Sequence, residues 1–211
     1  MTGFLPLFPL ELVVFPGEKL NLHIFEPRYK QLVKDCVEEQ KNFGIPVFMK
    51  KQVMEYGAEM KVLNIEKTYE NGEMDIRTEG VRTIKILEFI KELPDKLYSG
   101  GVIAEESVRF DSTEKSRQKT LDNFNEMYAA MNIPQKFVAD QGELTSSRIA
   151  HLVGLTLEQE YDLLTVSSED RRLQLLRKHI RKVLPVVKRT EALRQKIQAN
   201  GHFRWEIPPQ Y

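Results

Sequence analysis

Apolar positions change their spacing near residue 110, and that change divides the chain. Up to about Val108 they fall in short runs between turn formers; beyond Phe110 they recur every three or four residues. The first run, Phe4-Leu-Pro-Leu-Phe-Pro-Leu-Glu-Leu-Val-Val-Phe-Pro-Gly17, is interrupted by Pro6, Pro9 and Pro16. It cannot be helical, because an interior proline lacks the donor and clashes with the preceding turn. The pattern predicts a buried strand over residues 10–15, a Pro-Gly turn, and a second strand over 20–25. Pro27 then suits a first helical position, where a missing N–H goes unused. Tyr29, Leu32, Val33, Cys36 and Val37 follow at helical spacing, with Arg28, Lys30, Lys34, Asp35, Glu38 and Glu39 elsewhere on the wheel. One amphipathic helix lying on a core is expected.

Runs rich in β-branched and aromatic residues occupy 44–49, 58–66, 74–78, 81–90 and 97–108. The turn signals between them are Tyr56-Gly57, Asn71-Gly72, Glu79-Gly80, Leu93-Pro-Asp95 and Gly100-Gly101. Asn71-Gly72 is the strongest, since a type I′ hairpin turn needs positive φ at both central positions. Gly57, Gly72 and Gly80 are accordingly read as turn residues. Many short strands at this spacing predict a barrel or sandwich, plugged or flanked by the first helix.

The second half reads as helices. Residues 113–131 place Leu121, Phe124, Met127, Tyr128 and Met131 on one face, and Pro134 is expected to stop that helix. Short helices follow over 145–153 and 156–164, the latter opened by a Thr156/Gln159 capping box. Ser168 begins a long helix to about residue 200, with a buried stripe of Leu173, Leu176, Ile180, Val183, Leu184 and Val187. Gly201 is placed to cap it, and Pro185 is expected to kink or break it near 181–184. Phe203, Trp205 and Ile207 alternate in the last segment, as in an extended strand.

The opening block resembles the N-terminal domain of Lon proteases. Shared features are the proline-rich first run, the Phe15-Pro-Gly17 turn and Ile24-Phe-Glu-Pro-Arg-Tyr29 at the helix start, over about two dozen positions. Tyr56-Gly57, Asn71-Gly72, Gly80-Val-Arg82 and the run from Arg148-Ile-Ala-His-Leu to Arg171-Arg-Leu extend the resemblance over roughly residues 4–200. It implies an α+β fold: a PUA-like β-barrel with one flanking helix (residues 1–110), then a helical bundle ending in a long helix with an extended tail (residues 111–211). By the same resemblance the chain is expected to be a protein- or peptide-recognition module for unfolded or apolar segments, acting as an adaptor in proteolysis with a protease or ATPase partner.

Catalytic signatures are missing from the sequence. Lon-type ATPases need a Gly-x-x-x-x-Gly-Lys-Ser/Thr loop to hold phosphates, and no glycine here is followed by lysine. The Ser-Lys dyad of Lon belongs to a separate domain. His23, His151, His179 and His202 have no histidine partner at i+4 and no nearby cysteine, so neither a metal site nor any cofactor is expected. Cys36 sits on an apolar helical stripe and reads as a buried thiol. Glu26 and Arg28 flank a helix start, where a carboxylate is favoured by the helix dipole.

Charge refines the picture only locally. Lys and Arg number 31, as do Asp and Glu, so the whole chain is directed neither to nucleic acid nor to a membrane. A single cysteine forms no internal disulfide, and with no signal sequence or apolar run of membrane length the expected compartment is the cytoplasm. Within 168–200, however, ten bases face three acids. Arg171, Lys178, Lys182, Arg189 and Lys196 line one helical face if Pro185 does not rotate the halves apart. PUA-like barrels are also known as RNA-binding folds, so this face is the phosphate-binding alternative, although no aromatic residues interleave with it. For peptide binding, the segment 49–56 lacks a clear strand pattern, and Met side chains adapt to varied partners. Met49, Val53, Met54 and Tyr56 are the candidate contacts, and a cleft between barrel and helices is the other candidate site.

Overall fold

A computed structural model describes residues 2–133 and 144–200, the last two as backbone only. Six strands carry the first half: β1 (Thr2–Leu7), β2 (Lys19–Ile24), β3 (Phe43–Met49), β4 (Gln52–Thr68), β5 (Met74–Ile90) and β6 (Ser99–Glu106). They are ordered β2-β5-β4-β3-β1-β6, and β6 also pairs with β5. That second pairing closes five strands into a barrel and leaves β2 as an appended strand. Closure works because β5 has two partners along its length. Its first half, from Met74 to Glu79, pairs with β2, and Thr83 to Ile90 pairs with β6. Helix α1 (Pro27–Glu38) packs Tyr29, Leu32, Val33 and Cys36 into the same cluster as Ile24, Phe43, Ile45, Met60 and Ile76.

The second half is helical: α2 (Glu114–Ala130), α3 (Ser146–Ile149) continued by a 3-10 turn (Ala150–Leu152), α4 (Leu157–Thr165) and α5 (Glu169–Asn200). Thr113 caps α2 and the Thr156/Gln159 capping box opens α4, so both predicted starts are found. A second core joins the halves. Val13, Phe15, Val47 and Met49 from the barrel side pack with Phe124, Met127, Ile149, Leu163, Leu164, Leu176 and Ile180.

Several expectations are corrected. Residues 10–15 are not a strand; the strand is Thr2–Leu7, and only Leu10 bridges onward, to Val47. Val13, Val14 and Phe15 are apolar because they are buried on all sides, at 3%, 2% and 0% exposure. The runs 74–78 and 81–90 form one strand, and Gly80 is no turn. Its N–H donates to Glu18 O at 2.8 Å and its carbonyl accepts from Gly17 N at 2.7 Å. A Cβ there would lie 2.5 Å from Phe15 O, and one at Gly57 would lie 2.2 Å from Ile45 O. Both positions need glycine for close backbone approach.

Asn71-Gly72 does turn the chain, but only Gly72 has positive φ. Gly72 N donates to Tyr69 O and Tyr69 N to Glu73 O, which is a type I turn closed by a left-handed residue rather than a type I′ turn. The two-residue turn with positive φ at both positions lies elsewhere, at Lys50 and Lys51 between β3 and β4. Residues 49–56 are therefore a tight hairpin. Finally, α5 runs through Pro185 unbroken. Pro185 and Arg181 are both exposed, so the carbonyl that the proline leaves unpaired reaches water. Pro134, Gly201 and the alternation of Phe203, Trp205 and Ile207 lie outside the described residues.

Gly80→Ala should destabilise the protein by about 1–3 kcal/mol through overpacking against Phe15, a fall of a few degrees in Tm. Thermal denaturation followed by circular dichroism would show it; an unchanged Tm would contradict the close approach.

Candidate functional site

A cleft of about 600 Å³ opens where the barrel meets the helices. Its barrel wall comes from Pro16, from Val81, Arg82 and Thr83 of β5, and from Glu105 and Glu106 of β6. The linker adds Val108 and Phe110, and the helical wall adds Thr145, Ser147, Glu169 and Arg172. Val81 is thrown into it by a β-bulge: Arg82 pairs with Glu59 and Gly80 with Met60, so Val81 has no partner on β4. Val81 is 40% exposed and Phe110 77%, an apolar lip at the mouth.

Charge in the cleft is uneven. Arg82 reaches Glu59 and Glu105 at 2.8 and 2.9 Å. Arg172 is 1% exposed; it donates to the carbonyls of Val166 and Leu164 at 2.7 and 2.9 Å. Burial holds its pKa below the ordinary guanidinium value, opposed by the charge of Glu169. Glu169, itself buried, accepts from Ser146 N and Oγ at 2.6 and 2.7 Å. These groups are structural, and Glu106 has no cation within salt-bridge reach among the described residues. Thr83 is 3% exposed and its hydroxyl has no hydrogen-bond partner. The cleft therefore offers apolar surface and a free carboxylate, with an unpartnered hydroxyl buried in its wall.

Three sets of contacts tie the barrel and its linker to the helices beside the cleft. Arg109 N donates to Ser167 O at 2.7 Å and Glu169 N returns to Arg109 O at 3.0 Å, a single parallel bridge from linker to helix. Asp111 caps α5 by accepting from Asp170 N and Ser168 Oγ, each at 3.0 Å, and these bonds hold its carboxyl below its usual pKa. His151, in the 3-10 turn, bonds Glu18 Oε2 at 3.1 Å and Glu160 Oε1 at 2.7 Å. The same Glu18 oxygen accepts from Phe15 N at 2.9 Å, so the imidazole ties the barrel's Pro16 turn to α4. Its hydrogen bond to Glu18, with that to Glu160, raises its pKa to about 9 against desolvation.

The candidate residues from sequence fall into two groups. Met49 is buried at 8% in the joining core, and Met54 and Tyr56 pack partly buried against it. Val53 is half-buried in the hairpin. Arg171, Lys178, Lys182, Arg189 and Lys196 are all exposed on α5. Arg172, counted by sequence with these bases, is instead a core cation; its spacing of three from Glu169 was the only hint. Cys36 is buried, and burial pushes its thiol up to about 12, helped by Asp35 and Glu39. His23 sits at the barrel rim between Asp75 and Glu73 at 2.7 and 3.3 Å, and Arg28 pairs with Glu26 at 2.8 Å. No group of three metal-ligating side chains occurs among the described residues, and no helix among them is long and apolar enough to cross a membrane.

A closed barrel joined through one core to a helical bundle, with an open cleft at the joint, is the architecture of a domain of the Lon N-terminal type. The sequence matches the family described as the ATP-dependent protease La (LON) substrate-binding domain over residues 4–182, and the chain belongs to that family. Among solved structures, the fold is similar to a Lon N-terminal domain protein from Xanthomonas campestris, at 24% identity and a TM-score of 0.65 over 82% of this chain and 96% of that one. It is also similar to the N-terminal domain of Lon protease from Mycobacterium avium complex, at 14% identity and a TM-score of 0.61 over 84% and 98% of the two chains. No curated protein sequence matches the chain.

Protonated His151 stabilises the joint, since its folded-state pKa of about 9 exceeds the ordinary 6.5. That contribution is complete below pH 6.5 and is lost as pH rises towards 9. Urea midpoints measured across this window should fall with pH in the parent and lose most of that slope in His151→Ala. An equal slope in both proteins would remove His151 from this role.

Proposed function

We propose that this chain is a non-catalytic recognition module that binds unfolded or apolar protein segments in the cleft between barrel and helices. Membership of the substrate-binding family supports the class of ligand. The observation that carries the site is the solvated pair Phe110 and Val81 beside an unpartnered, buried Thr83 hydroxyl. Burying an apolar side chain there gains about 25 cal/mol per Å² before the cost of ordering the ligand. Affinity for a single segment is therefore modest and sequence-tolerant. Glu106 favours segments that also carry a base. Val53, Met54 and Tyr56 retain surface for a secondary contact, Met49 very little.

In this reading the module works in the cytoplasm, for which its reduced, buried Cys36 is suited, and acts as an adaptor that hands segments to a protease or ATPase partner. RNA binding is the competing reading, supported by the five exposed bases that the unbroken α5 keeps on one face.

Fluorescence anisotropy of a labelled, permanently unfolded polypeptide, titrated at low and high salt, separates the two. Saturable binding that survives high salt and weakens about tenfold in Phe110→Ala is expected, the effect of losing one aromatic anchor. Absence of binding at high micromolar protein would overturn the reading. Oligonucleotide binding that falls steeply with salt and is lost on neutralising Lys178 and Lys182 would establish the alternative.

A further inference from the structure

We propose that the free edge of β4 binds a short, extended segment of apolar and acidic residues as an added strand. This surface is separate from the cleft, and the inference does not depend on the cleft being a binding site. The pairing of β3 with β4 stops at Phe43 and Met60. Strand β4 continues through Lys61–Thr68 with β5 on one side and, among the described residues, no strand on the other. An edge of this kind presents unpaired main-chain donors and acceptors, whose natural complement is another extended chain.

Beside the edge runs a groove of about 420 Å³, walled on its far side by the end of α1 and the turn that follows. Val37, Leu63 and Ile65 line it at 44%, 39% and 39% exposure. These three give apolar contacts for alternate side chains of an incoming strand. The charged residues lining the groove are Lys41 and Lys61. Lys41 reaches Glu39 at 2.6 Å, whereas Lys61 has no carboxylate within salt-bridge reach among the described residues. The complement of this groove is thus an apolar strand with carboxylates, opposite in charge preference to the cleft.

A second copy of the chain fits poorly. Antiparallel self-pairing centred on Asn64 sets Lys61 directly against Lys67, and like charges opposite one another destabilise a strand pair. Leu63 and Glu66 are bulged, each without a partner on β5. Bulges twist the strand and limit its match to a short segment.

The probe is a short synthetic peptide of alternating valine and glutamate with isotope-labelled carbonyls, followed by infrared spectroscopy and anisotropy; its valine-lysine counterpart is the control. Saturable binding is expected, with the labelled carbonyl band moving to the β-sheet position. Lys61→Glu and Ile65→Asp, both at exposed positions, should each weaken it about tenfold or more, while Phe110→Ala leaves it unchanged. An unshifted band, equal binding of the lysine peptide, or full affinity in both edge variants would overturn the proposal. Loss of binding in Phe110→Ala alone would also overturn it, placing the peptide in the cleft. Concentration-dependent self-association abolished by the edge variants would assign the edge to a second copy instead.

Discussion

Burial of the segment from Val13 to Phe15 between two cores holds the rest of the structure in place. Val14 belongs to the barrel core; Val13 and Phe15, on either side of it, belong to the core shared with the helices. A segment packed on both faces cannot shift without opening one core or the other. Its backbone is fixed as well: Gly80 passes close to Phe15 O, Gly17 and Glu18 bond Gly80, and Phe15 N bonds Glu18. Pro16 follows as one lip of the cleft, and Glu18 carries the tie to His151. The width of the cleft is thus set by packing underneath it rather than by the residues that line it.

Both proposed surfaces arise from mismatched strands. In the cleft, one extra residue on β5 turns Val81 outward just where β5 leaves β2 and takes up β6. Beyond Met60, β4 and β5 outrun β3 and leave an edge unpaired. Charge distinguishes the two surfaces. Carboxylates are in excess at the cleft and lysines at the edge, so a near-neutral chain carries two local fields of opposite sign. The excess of bases on α5 is smaller in effect than its count, because Arg172 is spent inside the core and Arg177 donates to Ser116 and Thr120.

Much of the fold was legible in the sequence because local rules governed it. The α1 start at Pro27, the Thr156 capping box and the stripe of α5 follow from spacing and end chemistry. Errors arose where a residue's reason was tertiary. Gly57 and Gly80 look like turn formers but serve close backbone contacts inside long strands, and Lys50-Lys51 turns the chain with no local signal at all. A buried coil and a buried strand have the same apolar composition, so residues 10–15 could not be told apart by pattern.

By itself the sequence determined the α+β class, the family and the helix starts, because period, proline and capping residues act over a few positions. Only the tertiary structure decided that β5 changes partners, that Val81 and Phe110 share a mouth, that Arg172 is buried while Lys178 is not, and that β4 has a free edge. Each of these depends on strand register and on which segments meet in space, information that neighbouring positions do not hold.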